Sequence, residues 1–248
     1  MQRPVDTLFF DLYGTLVDIR TDEQQLRAYR ALASACARYG AVYPKPRDLR
    51  RLLQRQFAAL NAAAKAQPGH TEPDLAPAFA FLLQNKGIAP TPQAAAWLAW
   101  VFRRGSTNRL RLYPGCAEFL RAARAAGIRC VLVSNAQSLF TRPELALLGL
   151  DELLDDSFIS SEEGVKKPDA RFYRAALAST GADPARTWMV GNDAACDIDG
   201  AVAAGLAGAV YFRTEISPAG DPARPANALY AFAGADYTAL AQRLGLTL

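Results

Sequence analysis

The stretch TLFFDLYGTLVD, residues 7–18, constrains the fold of this chain more than any other. Residues 8–10, Leu-Phe-Phe, form an apolar run that is typical of a strand buried on both faces of a parallel sheet. The run ends in Asp11, and a turn that contains Gly14 follows. An unpaired, ionised carboxylate is costly to bury, so we expect Asp11 to have partners and a use.

Strand and helix patterns alternate along most of the chain. Apolar runs predict strands at 5–11, 128–133, 157–160, 187–190 and 208–212. Amphipathic patterns predict helices at 115–126, 142–148, 169–180, 197–204 and 236–244, and Pro and Gly predict a surface loop at 217–227. Strands separated by single helices indicate parallel βαβ units, so we predict an α/β fold with a Rossmann-like, doubly wound parallel sheet.

The stretch 20–107 differs from the rest because it shows helical periodicity and no convincing strand. It predicts helices at 21–40, with Thr21 as the N-cap, and at 47–66, 75–86 and 92–104. We therefore predict an all-helical domain, 20–107, inserted into a core formed by 1–19 and 108–248.

Composition limits the possible partners and the compartment. The chain has 248 residues, of which 51% are hydrophobic, and a formal net charge of +4 from scattered basic residues. This favours a globular protein and argues against nucleic acid and membrane partners. We expect a small-molecule substrate, and the sequence leaves open whether the protein is a monomer or a homodimer. The N-terminus does not resemble a signal peptide and the four cysteines lack C-x-x-C spacing, so we expect a cytoplasmic protein.

Polar residues cluster where the predicted strands end. They are Asp11, Ser134 with Asn135, Lys167, and Asp193 with Asp197. A lone serine at such a place is usually a helix cap, and a lone lysine is usually solvated. Ligands bind at the carboxyl edge of parallel sheets, so four such clusters at corresponding edges predict one site.

The chemistry of these residues is coherent. Asp11 can act as a carboxylate nucleophile. Asp193 and Asp197 would repel Asp11 unless a cation intervened, and Mg²⁺ is commonly bound by one or two carboxylates together with substrate phosphate oxygens. Lys167 adds a fixed positive charge, and Ser134 can hold oxygens of a transferred group.

Four motifs occur in order along the chain. They are Asp11-Leu-Tyr13-Gly-Thr15-Leu, Ser134 after Val131-Leu-Val, Lys167-Pro168-Asp169, and Gly191-Asn192-Asp193 with Asp197-Ile198. Together they resemble the motifs of the haloacid dehalogenase-like (HAD) superfamily of hydrolases. The resemblance implies a Rossmann-like core and a helical cap inserted after the first motif, which is where residues 20–107 lie.

The first motif departs from the phosphatase pattern at Tyr13. Most phosphatases of the superfamily carry at this position a second Asp, which protonates the leaving group and later activates water. Proteins that resemble L-2-haloacid dehalogenases carry Tyr there. A halide leaves without a proton whereas an alkoxide needs one, so Tyr13 favours dehalogenation.

The fourth motif favours a phosphatase, because Asp193 and Asp197 keep the spacing of the metal-binding form. The predicted Mg²⁺ ligands are Asp11, the Tyr13 carbonyl, Asn192, Asp193 and Asp197. Asn192 leaves the register of the first acidic position open. For the substrate-carboxylate arginine of a dehalogenase cap, the sequence offers only candidates on one predicted helix, namely Arg50, Arg51 and Arg55.

The preferred hypothesis is a Mg²⁺-dependent phosphatase for a small phosphorylated metabolite. The predicted catalytic residues are Asp11, Tyr13, Ser134, Asn135 and Lys167. One alternative is a metal-independent L-2-haloacid dehalogenase. The other is a weakly active binding protein with a vestigial site.

Overall fold

The structure is a computed structural model that describes residues 5–248. The sequence predicts no signal peptide at the N-terminus, and residues 1–4 of that stretch lie outside the described residues. The strands are β1 (Thr7–Phe10), β2 (Val17–Thr21), β3 (Thr107–Leu112), β4 (Arg129–Ser134), β5 (Asp156–Ile159), β6 (Thr187–Gly191), β7 (Gly208–Arg213) and β8 (Tyr230–Ala233).

Helices connect and flank these strands. They are α1 (Leu26–Ala37), α2 (Pro46–Lys65), α3 (Ala76–Gln84), α4 (Pro92–Ser106), α5 (Cys116–Ala125), α6 (Ser138–Leu148), α7 (Ser160–Glu163), α8 (Ala170–Thr180), α9 (Gly200–Ala203) and α10 (Tyr237–Arg243). A π-helical turn, Ala194–Asp199, precedes α9. Within residues 5–248, no helix combines the length and the apolar character that crossing a membrane requires.

The central sheet has six strands in the order β5-β4-β1-β6-β7-β8, and every neighbouring pair is parallel. The chain builds outward from β1 to β4 and β5, then returns to β6 on the other side of β1. The strand order therefore reverses between β1 and β6, which is where open α/β sheets form a ligand crevice. This arrangement confirms the predicted Rossmann-like core.

Two apolar layers cover the sheet. On one face, Leu8 and Phe10 of β1 pack with residues of α5 and α10 such as Phe119 and Leu240. On the other face, Phe9 packs with residues of β4, β6 and α8. Alternate residues of β1 thus enter opposite layers, which fixes the strand rigidly and with it the position of Asp11 at its end.

Helices α1 to α4 form a helical insert, residues 26–106, whose apolar core also includes Phe140 of α6. Helix α4 is well capped: Pro92 occupies its first turn, and the Thr91 hydroxyl accepts a hydrogen bond from the Ala94 N–H at 3.1 Å. An antiparallel ribbon of β2 and β3 joins the insert to the sheet domain. The assignment of 20–107 as a cap and of 1–19 with 108–248 as the catalytic core stays a prediction.

The structure corrects several predicted elements. Thr21 is not a helix N-cap, because β2 runs through it to pair with Thr107, and α1 starts at Leu26. Strand β8 has no counterpart in the prediction. Helix α6 begins at Ser138 rather than 142 and contains Pro143, although proline is disfavoured inside helices.

Candidate active site

Asp11 follows the central strand β1 and is nearly buried. Its N–H donates to the Val190 carbonyl of β6 at 3.0 Å, which extends the strand pairing to the carboxylate itself. Its Oδ1 accepts hydrogen bonds from Ser134 Oγ at 3.0 Å and from Lys167 Nζ at 2.8 Å. The structure thus brings the carboxylate and two of its predicted partners together.

Lys167 is buried between two carboxylates. Its Nζ lies 2.8 Å from Asp11 Oδ1 and 2.6 Å from Asp197 Oδ1. Burial alone would lower the pKa of Lys167, but the charges of Asp11 and Asp197 outweigh it and raise that pKa above its ordinary value. The ammonium group is therefore a permanent positive charge beside Asp11.

The Asn135 side chain binds both the N–H and the carbonyl of the Lys167 backbone. The Asn135 Nδ2 donates to the Lys167 carbonyl at 3.0 Å, and the Lys167 N–H donates to Asn135 Oδ1 at 2.8 Å. Asn135 therefore fixes the point from which the lysine side chain reaches Asp11.

Asp197 is completely enclosed. Its Oδ2 accepts the backbone N–H groups of Asn192 and Asp193, each at 2.9 Å, while Oδ1 binds Lys167. Burial raises the pKa of Asp197, and Lys167 opposes this effect. A side chain at Gly191 would collide with the Asp197 carboxylate, which explains the glycine in this motif.

Asn192 and Asp193 point to different places. The Asn192 carboxamide lies against the turn at Gly14, and its Oδ1 is 3.5 Å from Thr15 Oγ1. Asp193 Oδ1 accepts the Cys196 N–H at 2.8 Å and so caps the π-helical turn. Asn192, not Asp193, is therefore the residue that packs on the turn after Asp11.

The Tyr13 hydroxyl forms its hydrogen bonds with helix α6 and not with Asp11. Its hydroxyl donates to Glu144 Oε2 at 2.6 Å and lies 3.1 Å from Thr141 Oγ1. Burial raises the pKa of Tyr13 above its ordinary value. The hydroxyl is thus a neutral donor committed to helix α6.

A buried ion pair completes this arrangement, and sequence reasoning missed it. Arg103 of α4 donates through Nε to Glu144 Oε1 at 2.6 Å, and its guanidinium lies 5.4 Å from the centre of the Tyr13 ring. The side chain of Arg103 is 9% exposed and that of Glu144 is 1% exposed. We name Tyr13, Thr141, Glu144 and Arg103 the interface cluster, since it joins the helical insert to the sheet domain.

A cavity of about 200 Å³ opens above Asp11. It is lined by Asp11, Tyr13, Asn135, Lys167, Asn192, Asp193, Cys196, Asp197, Ile216 and Pro218. Among the described residues, none from the helical insert lines this cavity. The candidate arginines on α2 are not part of the lining either, and Arg50 instead donates to the Gln24 carbonyl at 3.0 Å.

The comparison with known families shows which family the chain belongs to. Residues 5–205 match the haloacid dehalogenase-like hydrolase family, well over half of the chain. The chain belongs to this family. The match confirms the resemblance in the four motifs and the prediction that the protein is a hydrolase.

This HAD-like hydrolase has relatives that are named as phosphatases of different substrates. It is 35% identical over 147 residues to a phosphoserine phosphatase of Thermus thermophilus, which covers 59% of this chain. The chain spans little more than half the length, 57%, of that curated relative. Some other curated relatives are also named phosphatases, for example the glyceraldehyde 3-phosphate phosphatase of Pyrococcus abyssi, 25% identical over 82% of this chain and 79% of its own.

Solved structures with the same fold include both activities. The 2-haloacid dehalogenase of Pseudomonas syringae pv. Tomato DC3000 has a TM-score of 0.65 at 18% identity, and covers 97% of this chain and 98% of its own. A HAD phosphatase of Thermococcus onnurineus has a TM-score of 0.60 at 18% identity, with the same coverage. At these identities the likeness concerns the fold alone.

The site of this HAD-like hydrolase offers oxygen donors for a cation. No group of three or more His, Cys, Asp or Glu side chains within residues 5–248 is arranged to hold a metal by itself. Asp11, Tyr13, Asn192 and Asp193 all line the cavity, and between them they carry two carboxylates, a carboxamide and backbone carbonyls. This donor set fits Mg²⁺, which keeps several water or substrate ligands beside one or two carboxylates.

Proposed function

We propose that this HAD-like hydrolase is a Mg²⁺-dependent phosphatase that acts on a small phosphorylated metabolite. The observation that carries the proposal is the charge of the cavity lining, which contains three acidic residues, Asp11, Asp193 and Asp197, and a single ammonium group, that of Lys167. Both short ion pairs of Lys167 are already made with carboxylates. A phosphorylated, anionic substrate therefore needs a further cation, which Mg²⁺ supplies.

In the proposed reaction, Asp11 is the nucleophile. Both hydrogen bonds to Asp11 fall on Oδ1, so we propose Oδ2 as the atom that attacks phosphorus. The bond from phosphorus to the leaving oxygen breaks, and this oxygen departs with the electron pair. Water then releases phosphate from the aspartyl-phosphate and regenerates Asp11.

The other side chains bind the phosphoryl oxygens or orient the groups that bind them. Ser134 Oγ and Lys167 Nζ, which now bind Asp11, lie where they can also hold phosphoryl oxygens. Asp197 and Asn135 orient Lys167. Mg²⁺, when bound by Asp11, the Tyr13 carbonyl, Asn192 and Asp193, would neutralise the phosphoryl charge.

The protein lacks the second aspartate that would protonate a leaving group, and Tyr13 is bound to Glu144 instead. Loss of general acid catalysis typically lowers a rate by about 10²–10⁴-fold. We therefore propose substrates with good leaving groups, such as acyl or aryl phosphates. We further propose that the protein works in the cytoplasm as a monomer or homodimer.

A paired assay tests this function. Phosphate release from acetyl phosphate and from p-nitrophenyl phosphate is measured after EDTA treatment and again after Mg²⁺ is added. We expect release with Mg²⁺ and its loss with EDTA. Phosphate release that is equal in both conditions would contradict the metal requirement.

A second candidate function is that of a metal-independent L-2-haloacid dehalogenase. Tyr13 favours it, because attack by Asp11 on carbon expels a halide that needs no proton. Halide release from L-2-chloropropionate in EDTA, without phosphate release from either phosphorylated substrate, would establish this alternative. If neither activity occurs and Mg²⁺ does not bind, the remaining hypothesis is a binding protein with a vestigial site.

Replacing Tyr13 with Phe distinguishes a structural hydroxyl from a catalytic one. Because the hydroxyl binds Glu144, we expect kcat to change by less than about 10-fold, whereas loss of a general acid lowers it by about 10²–10⁴-fold. The lost hydrogen bond to a charged group should reduce the free energy of unfolding by about 1.5–3 kcal/mol. A drop in kcat beyond about 10²-fold in a folded variant would assign the hydroxyl to the chemistry.

A further inference from the structure

One wall of the cavity comes from the loop between β7 and β8. Ile216 and Pro218 of this loop line the cavity, together with residues that follow β1, β4 and β6. The sequence predicts a Pro- and Gly-rich surface loop only at 217–227, which includes Pro218 but not Ile216. We name residues 214–221 the wall loop.

The wall loop is anchored at both ends to turns that carry the site. At its start, Thr214 Oγ1 donates to the Gly14 carbonyl at 3.0 Å, in the turn after Asp11. At its end, Asp221 Oδ2 accepts the Ala194 N–H at 2.8 Å and the Tyr211 hydroxyl at 3.1 Å. These contacts hold the wall loop at a fixed distance from the nucleophile.

Ile216 is the apolar side chain that this loop presents at the cavity. Its Cγ1 packs against the Gly14 turn, 2.8 Å from the position that a Cβ on Gly14 would occupy. Even so, Ile216 remains 44% exposed. An exposed aliphatic group held beside the nucleophile provides a contact surface for the part of the substrate that does not carry the reacting atom.

We propose that Ile216 is a specificity-determining residue, and that the wall loop limits the size of the leaving group beside Asp11. The proposal deepens the phosphatase function and rests on it. Two observations support it: the position of Ile216 in the lining, and the anchoring of the wall loop to the turns after β1 and β6 through Thr214 and Asp221. Pockets that differ by a methylene group discriminate by about 10–200-fold, so truncation of Ile216 should have a measurable effect.

The test compares a small and a bulky substrate in two size variants. For Ile216→Ala, we expect the ratio of kcat/KM for p-nitrophenyl phosphate to that for acetyl phosphate to rise at least about 10-fold, and for Ile216→Phe to fall. Val202→Ala is the matched control, because Val202 is similarly exposed, at 40%, and lies on α9 outside the lining. The ratio of the Kd for benzylphosphonate to that for methylphosphonate, from calorimetry, should fall in Ile216→Ala and rise in Ile216→Phe.

The outcomes separate this inference from the function on which it rests. Phosphate release by the wild type with an unchanged ratio in both Ile216 variants overturns the inference and leaves the phosphatase function intact. Halide release without phosphate release overturns the phosphatase function. The inference about the leaving group then falls with it, because chloride is the leaving group for every chloroacid. Neither activity, and no phosphonate binding, overturns both.

Discussion

Asp11→Asn is expected to lower turnover by at least about 10⁴-fold in the reaction the protein performs, whether the attacked atom is phosphorus or carbon. Removal of a nucleophile from a site that acts as a unit has effects of this size. An amide has the shape of the carboxylate but lacks its charge, so the substitution tests the nucleophile without emptying the site. Phosphate and halide release are measured for both proteins under the same conditions.

The substitution should leave the fold in place. Lys167 keeps its second carboxylate, Asp197, at 2.6 Å, and Ser134 can still donate to the amide oxygen. Asp199→Asn is the matched control, since Asp199 is exposed, lies outside the cavity lining and accepts a hydrogen bond from Asn227 Nδ2 at 2.8 Å. A folded Asp11→Asn protein that retains more than a few per cent of wild-type turnover would refute covalent catalysis by Asp11.

The sheet and the groups around Asp11 could be predicted because the sequence marks both locally. Leu8 to Phe10 form an apolar run that fits only a buried strand, and Asp11 directly follows it. Ser134 and Lys167 also stand at strand ends or beside a proline. Parallel strands bring such positions to one edge, so their meeting follows from topology alone.

The interface cluster could not be predicted in this way. Glu144 lies on a helix, where an acidic residue usually faces solvent, and Arg103 lies in a basic pair that looks like a solvated helix end. Their burial depends on how α4 and α6 pack, and the sequence does not encode that packing as a local pattern. The wall loop could not be predicted as part of the site for the same reason, because its anchors, Thr214 and Asp221, are residue types that are common in any loop.

The ribbon of β2 and β3 and the edge strand β8 could not be predicted from local sequence patterns either. Strand β2 pairs Thr21 with Thr107, residues far apart in sequence, and a Thr-Asp-Glu stretch is equally typical of a helix N-terminus. Strand β8 is short, only partly buried and at the edge of the sheet. Neither carries enough apolar periodicity to be told from loop.

Glu144→Ala is expected to destabilise the protein by about 3–5 kcal/mol. The substitution leaves the buried Arg103 guanidinium without its carboxylate, and removal of one partner of a buried ion pair has effects of this size. It also removes the acceptor of the Tyr13 hydroxyl. The free energy of unfolding is measured by denaturant titration, with Asp48→Ala as the control.

The control is an acidic residue that pairs with an arginine at the surface. Asp48 pairs with Arg51 at 3.4 Å on the surface of α2, with both side chains more than half exposed, so its loss should change stability by less than about 1 kcal/mol. Equal losses in Glu144→Ala and Asp48→Ala would mean that the Arg103–Glu144 pair contributes no more than a surface pair.

The double variant Arg103→Met with Glu144→Leu separates charge from packing. If the loss in Glu144→Ala comes from an uncompensated buried charge, apolar side chains of similar volume at both positions should be less destabilising than that single change. If the double variant is as unstable, the pair acts through its geometry. The cluster would then set the position of α4 against the loop that carries Tyr13. That result would give the helical insert a structural link to the turn after Asp11, although the insert lines no part of the cavity within the described residues.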